Sequence, residues 1–368
     1  MTTACRADNC AAQSITWPSK ARPPNRCNTL GNVLFIRVPL PAAMMTTSIW
    51  VAMLFPVNFL RLGSGLKNRL AALILPATRY RFRIISVLGL AALLSACSAV
   101  KIGYNQAPAL VYWYLDGYAD FTDAQSLQLK ADLNRLQAWH RQTQLPAYAD
   151  LLHKLQPLML ASITPAQACT VVLDVRSKLT TVSGQSEPAL AALVVSLQPD
   201  QLLHMQRKFS RGNADYRKEF IDAPPAAIRT KRYEQAVSRA EMLYGPLESQ
   251  QLRRIGQLVD QSGFNAALAY AERLRRQQDT LQTLRTLTPG NAAAARVELR
   301  ALIERSMESP DTAYRAYFEK ITLQGCRAIA ELHDTTSPAQ RQKALRVLKG
   351  YEQDFRALAS QSIAQALE

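Results

Sequence analysis

The sequence predicts an all-α protein, a multi-helix bundle of about ten helices with short loops, and three observations carry that expectation. Apolar side chains from Tyr104 onward recur with one helical period. Leu129, Leu133, Leu136 and His140 share a face, as do Phe264, Leu268, Ala271, Leu274, Leu281 and Leu284, and again Ala344, Val347, Tyr351, Phe355 and Leu358. No segment shows sustained alternation bounded by hairpin turn pairs. The third observation is a set of helix starts written in one chemical idiom.

Phe121-Thr122-Asp123-Ala124-Gln125, Ile163-Thr164-Pro165-Ala166-Gln167 and Thr336-Ser337-Pro338-Ala339-Gln340 each place Ser or Thr three residues before Gln. The hydroxyl accepts from the amide three residues on, while the glutamine reaches back to the cap amide. Proline at the first helical position gives up a donor that had no partner there. Gln198-Pro199-Asp200-Gln201 and Glu248-Ser249-Gln250-Gln251 repeat the spacing with a weaker cap, so five helix beginnings are predicted, opening helices of two to six turns.

Charge is distributed unevenly. The 368 residues carry 44 Lys+Arg against 28 Asp+Glu, with 48% apolar residues and six cysteines, which excludes a disulfide-dense miniature and a disordered polyelectrolyte. Residues 1–96 hold eleven basic side chains and a single acid, Asp8, whereas 97–368 carry a net of only +6. Arg79, Arg81 and Arg83 lead into the charge-free run Ile84–Ala96, a basic n-region followed by an apolar h-region, as in a secretory signal. Its 13 residues fall short of the ~20 needed to span a bilayer. Leu94-Ser95-Ala96-Cys97 closes the run and resembles the bacterial lipobox, which implies diacylglycerol on the Cys97 sulfur, a lipid (palmitate-type) membrane anchor. Ser98 in place of Asp implies sorting to the outer membrane, periplasmic face. The organisation expected is an upstream extension or mis-called start over 1–66, without order, a lipoprotein signal peptide over 67–96, and the helical periplasmic domain over 97–368. A rival span, the 23 uncharged residues Val38–Leu60, is interrupted by Pro39, Pro41 and Pro56.

After Cys97 only Cys169 and Cys326 remain. Cys169 shares a helical face with Val172, Val175, Leu179 and Val182, and Cys326 lies beside Ile321, Ile329 and Leu332, so both reach a core, either as a disulfide or as two buried thiols. The histidines His140, His153, His204 and His333 form no His-x-x-x-His or Glu-x-x-His pair, and no cysteine pair has ligand spacing. The expectation is therefore no metal and no cofactor. His140 reads as a packing residue. Asp116 with Asp120, or Glu241 with Glu248, are the acid pairs available to a peptidoglycan hydrolase, but no catalytic residue is assigned.

Arg207, Lys208, Arg211, Arg217, Lys218, Arg229, Lys231 and Arg232 stand against Asp215, Glu219 and Asp222, a net of +5 in 26 residues. This run is either a solvated helix face or an anionic-ligand surface, for lipid headgroups or wall polymers and not nucleic acid. Tyr104, Tyr112, Trp113, Tyr114, Tyr118 and Phe121 suit either a membrane interface or a core. The helical spacing of Tyr114, Tyr118 and Phe121 favours the core.

Two family resemblances follow. The Thr-x-x-Gln windows resemble the motif of Spy-type periplasmic chaperones, which implies a helical cradle for unfolding envelope proteins. Tyr104-Asn105, Trp113, Leu115-Asp116, Tyr118, Ala138-Trp139-His140-Arg141, Asn213, Tyr216-Arg217-Lys218, Arg239, Glu241, Tyr244-Gly245, Gln340-Arg341 and Lys343-Ala344 together resemble a family of predicted Gram-negative lipoproteins known as a domain of unknown function. These imply a non-catalytic binding or scaffold module, chaperone-like, with an envelope protein or anionic envelope polymer as partner. The alternative is a peptidoglycan-active enzyme or the activator of one.

Overall fold

Eleven α-helices and one short 3-10 turn, with no strand, make up residues 99–365, the part described by the computed structural model. The expectations for residues 1–98, including the signal and Cys97, lie outside the described residues. Helix α1 covers Ala99–Asn105, α2 Ala107–Ala119, α3 Asp123–Leu155, α4 Pro165–Val194 and α5 Pro199–Phe220. Then follow α6 Pro225–Tyr244, α7 Ser249–Gln261, α8 Ala266–Thr286, α9 Ala292–Met307, α10 Thr312–Asp334 and α11 Pro338–Gln365.

All five predicted helix starts are present. Thr122 and Thr164 cap α3 and α4 through full capping boxes, the Gln198 and Glu248 amides donate to Gln201 and Gln251 Oε1 at the starts of α5 and α7, and Ser337 opens α11. The expectation of two to six turns fails for α3, α4 and α11, which run 33, 30 and 28 residues. Pro146 and Pro188 lie inside α3 and α4 without ending them. Each forfeits one backbone hydrogen bond, but Leu145, Tyr148 and Ala149 around the first, and Val182, Ala191 and Val194 around the second, are buried on both arms. Burial of that kind outweighs the local loss.

Helix α11 packs along α3 and also meets α1 and α6; α4 is flanked by α9 and α10; α2 lies across α3 and α5, and α5 packs on α8. Tyr104, Leu145, Tyr148, Phe355 and Leu358 form one apolar cluster among α1, α3 and α11. Ala191, Val194, Leu202, Leu284, Ala295, Leu299 and Leu302 form another among α4, α5, α8 and α9. The Cys169 and Cys326 sulfurs are bonded, with Cα atoms 5.3 Å apart, joining α4 to α10 across a separation of 157 residues.

Four of the capping glutamines serve two purposes. Gln125 and Gln201 exchange amide hydrogen bonds at 3.1 and 2.8 Å, and Gln251 and Gln340 do the same at 2.7 and 2.9 Å. Each also donates to a carbonyl two residues before its partner's cap. The pairs are Gln125 to Ser196, Gln201 to Asp120, Gln251 to Thr335 and Gln340 to Pro246. Thus the starts of α3 and α5 are clasped together, and so are those of α7 and α11. The fifth, Gln167, is exposed and only caps its own helix.

The apolar stripe expected on the first half of α8 is not the face that is buried. Ala271 and Leu274 are exposed, whereas Glu272, Arg273, Arg276 and Gln277 point inward. The reason is what α5 and α10 bring to meet them. Arg273 lies over the Tyr216 ring at 5.7 Å and donates to Asn213 Oδ1 at 2.6 Å, and Arg276 lies over Tyr314 at 5.6 Å. Cationic planes buried against rings and satisfied by hydrogen bonds are tolerated where a bare charge would not be.

Candidate functional site

The basic run divides between α5, which carries five of the cations, and the start of α6, which carries three, with Asp222 in the short connection at 221–224. Because α5 is helical, its residues separate into an inner aromatic face and an outer cationic one. Phe209, Tyr216 and Phe220 are buried. They continue into rings from neighbouring helices, Tyr118 at 5.7 Å from Phe209, Tyr270 stacked at 5.5 Å on Tyr216, and Phe264 at 6.3 Å from Phe220. Tyr114 and Tyr118, 5.2 Å apart, extend the same aromatic layer on α2. Burial holds the Tyr216 phenol up at about 12 and raises Tyr114 further, so both stay protonated donors.

Four of the eight predicted cations are committed within the fold. Arg217 pairs with Asp222 at 3.0 Å, Arg229 grips both Asp260 oxygens at 2.6 and 2.8 Å, and Lys231 meets Glu219 at 2.5 Å. The hydrogen bond and charge of Arg229 hold Asp260 below the usual carboxylate range. Lys231 also lies 4.9 Å above the Phe220 ring. Arg232 covers Phe264 at 4.5 Å and donates to the Val259 carbonyl at 3.3 Å. A fifth, Lys208, sits over Tyr118 at 5.6 Å but keeps its ammonium without an ion pair among the described residues.

Arg207, Arg211 and Lys218 remain. All three are exposed and carry no ion pair among the described residues. With Leu203, itself 52% exposed, they follow one face of α5. At 1.5 Å per residue the cations stand about 6 and about 10 Å apart along the axis. The eight predicted residues therefore do not form one surface. The structure reduces the open part to this stripe, which can bind an anion without first breaking an internal bond.

Several of the remaining predicted groups have structural uses. Asp116 accepts from the Phe121 amide at 2.9 Å and fixes the turn after α2, where Asp120 has φ 50°. Glu248 caps α7. His140 is buried with Tyr104 Oη 3.0 Å from its Nδ1, and His333 repeats the arrangement with Tyr244 Oη at 2.8 Å while its Nε2 lies 2.8 Å from the Ala161 carbonyl. Burial holds His140 down at about 4. No cluster of His, Cys, Asp and Glu suited to a metal occurs among the described residues. None of their helices is long and apolar enough to cross a membrane.

One polar cluster escaped sequence reasoning. Glu272, buried at the start of α8, accepts from Arg275 at 2.8 and 2.9 Å, from Arg276 at 2.6 Å and from Ser309 at 2.9 Å; Asp279 accepts from Arg275 and Arg305. Burial alone would raise Glu272, but the arginines and the serine hydroxyl outweigh it and hold the carboxyl below its ordinary value. The i, i+4 spacings Glu272/Arg276 and Arg275/Asp279 were legible, but the contributions of Arg305 and Ser309 were not.

A family of unknown function (DUF6279) matches this chain over residues 117–314, from the end of α2 to the start of α10 and including the whole α5 stripe. The chain belongs to that family. No curated protein matches it, and no solved structure does.

Proposed function

We propose that this family member is a lipid-anchored protein of the Gram-negative outer membrane. In this reading it is held through Cys97 on the periplasmic face, and its helical domain binds an envelope protein or anionic envelope polymer without catalysing a reaction. The binding reading rests on the α5 stripe of Leu203, Arg207, Arg211 and Lys218, open to solvent in a domain whose buried charges hold helices together. Three cations at fixed spacing on a rigid helix suit a partner with repeating negative charge. The anchor reading rests on the order of residues from Arg79 to Cys97. The Cys169–Cys326 bond suits an oxidising compartment.

The Thr-x-x-Gln starts at Thr122 and Thr164 favour a chaperone-like role within this class, by their likeness to the Spy-type motif. The test of binding is crosslinking in cells with the unaltered chain and with Arg207→Glu, Arg211→Glu and Lys218→Glu combined. Among the described residues these side chains make no hydrogen bond or ion pair, so the triple variant should fold and lose its crosslinked partner. An unchanged partner would refute the stripe. Incorporation of labelled palmitate, abolished by Cys97→Ala, tests the anchor. Suppression of aggregation of a denatured envelope protein at stoichiometric ratio tests the chaperone role.

A further inference from the structure

Helices α1 and α2 share a face whose large apolar side chains are exposed. Gln106 N donates to Ile102 O at 3.2 Å and Leu110 N to Gln106 O at 3.0 Å, so the helical ladder runs through the residue between them and one face persists across the junction. On the inner side Tyr104, Ala107, Val111 and Ala119 are buried. On the outer side Ile102, Leu110 and Trp113 are 54%, 53% and 63% exposed, with Gln106 among them. Their spacings of four, four and three residues make one stripe about 16 Å long. From Ala99 to Leu115 the chain has a single charge, Lys101, which is spent on Asp354 at 3.4 Å. Three large apolar side chains aligned on one uncharged face differ from the scattered exposed leucine that any protein carries.

Covalent geometry limits where this stripe can stand. Cys97 precedes Ala99 by two residues, and two peptide steps of about 3.8 Å keep their Cα atoms within about 8 Å of each other whatever path the chain takes. An acylated Cys97 therefore brings the start of α1 to the level of the lipid headgroups. Tryptophan is the side chain best suited to that level, with an apolar ring and one donor. Resting on the reading of Cys97 as acylated, we propose that the Ile102, Leu110, Trp113 face lies on the membrane leaflet. The protein then touches lipid twice, through the anchor and through this helix side, and the second contact fixes the domain's orientation instead of leaving it to swivel. Tyr104, Tyr112, Tyr114 and Tyr118 take no part. Tyr104 is buried, Tyr112 bonds Ser126, and the other two belong to the aromatic layer beside α5.

Trp113 and Trp139 are the two tryptophans after Cys97, so in the protein processed at Cys97 Trp139→Phe leaves Trp113 as the reporter, the mass confirming that Trp17 and Trp50 have been removed with the signal. The protein is purified from membranes, its acyl chains are read by mass, and it is reconstituted into phosphatidylethanolamine and phosphatidylglycerol vesicles with or without bromine on the upper acyl chain. Trp113 emission should fall about two-fold or more in the brominated vesicles. Acylated protein that floats with the vesicles while Trp113 stays unquenched overturns the leaflet contact and leaves the anchor standing. Blue-shifted emission that rises with protein concentration and ignores bromine overturns it in favour of a second copy. A mass without acyl chains and no flotation removes the anchor, and the stripe's assignment with it.

Discussion

Replacing Gln251 by alanine should cost several times more than replacing Gln167, although both occupy the third position of a capping box. Gln251 is 1% exposed. Its Oε1 accepts from Glu248 N at 2.8 Å and from Gln340 Nε2 at 2.9 Å, and its Nε2 donates to Thr335 O at 3.0 Å and Gln340 Oε1 at 2.7 Å. Gln251→Ala strands the Glu248 amide and the Thr335 carbonyl and leaves Gln340 half paired. The Glu248 amide and Thr335 carbonyl, on exposed residues, lose about 1 kcal/mol each and the buried Gln340 amide about 1–2, so the total is on the order of 3 kcal/mol. Gln167 loses only an exposed cap contact, worth about 0.5–1 kcal/mol. Urea unfolding of the oxidised protein should separate the two variants by about 1 M in midpoint. The cycle Gln251→Ala, Gln340→Ala and the double variant should show a coupling of about 1–3 kcal/mol. Equal midpoints for the Gln251 and Gln167 variants, or strict additivity in the cycle, would refute the clasp as a stabilising device.

Because burial holds His140 down at about 4, the folded state takes up a proton less readily than the unfolded chain. Its contribution is therefore complete above about pH 6.5 and is lost as pH falls from there toward 4, on the order of 3 kcal/mol in all. Urea midpoints at pH 7.5 and 4.5 should differ less in His140→Gln than in the parent, and the same pH dependence in both would count against this. A Cβ at Gly212 would stand 2.9 Å from Arg273 Nη2, where α5 and α8 approach. Gly212→Ala should therefore displace that guanidinium from Tyr216 and lower the melting temperature despite the better helix propensity of alanine, and a rise would show that the side chain simply moves aside. Glu272→Ala leaves Arg276, 5% exposed, without its carboxylate, and calorimetry should register a loss of about 3–5 kcal/mol. A change under about 1 kcal/mol would mean that water reaches the site.

The helix starts were legible because a capping box is complete within four residues. The clasp was not, since its partners lie 76 and 89 positions apart and the sequence carries no sign that a capping amide has hydrogen bonds to spare. Periodicity failed on α8 for a related reason. Whether Arg273 or Leu274 faces inward depends on Tyr216 and Asn213 arriving from α5, and an apolar count assumes that the interior is apolar. The basic run was visible as net charge, and two of its neutralising acids, Glu219 and Asp222, stood inside the window. Asp260, 31 residues from Arg229, did not. The open cations were thus fewer than the composition suggested, and α5's helical phase selects them.

The bond between Cys169 and Cys326 turns the intervening chain into a closed ring, and α5 through α9 lie wholly within it. A protease that nicks one connection inside the ring, such as the exposed turn at 288–290, opens the loop without parting the molecule. The fragments would run as one species on a non-reducing gel and separate only when thiol is added. Most of the family-matched region can thus suffer a broken backbone and remain attached to the rest of the protein.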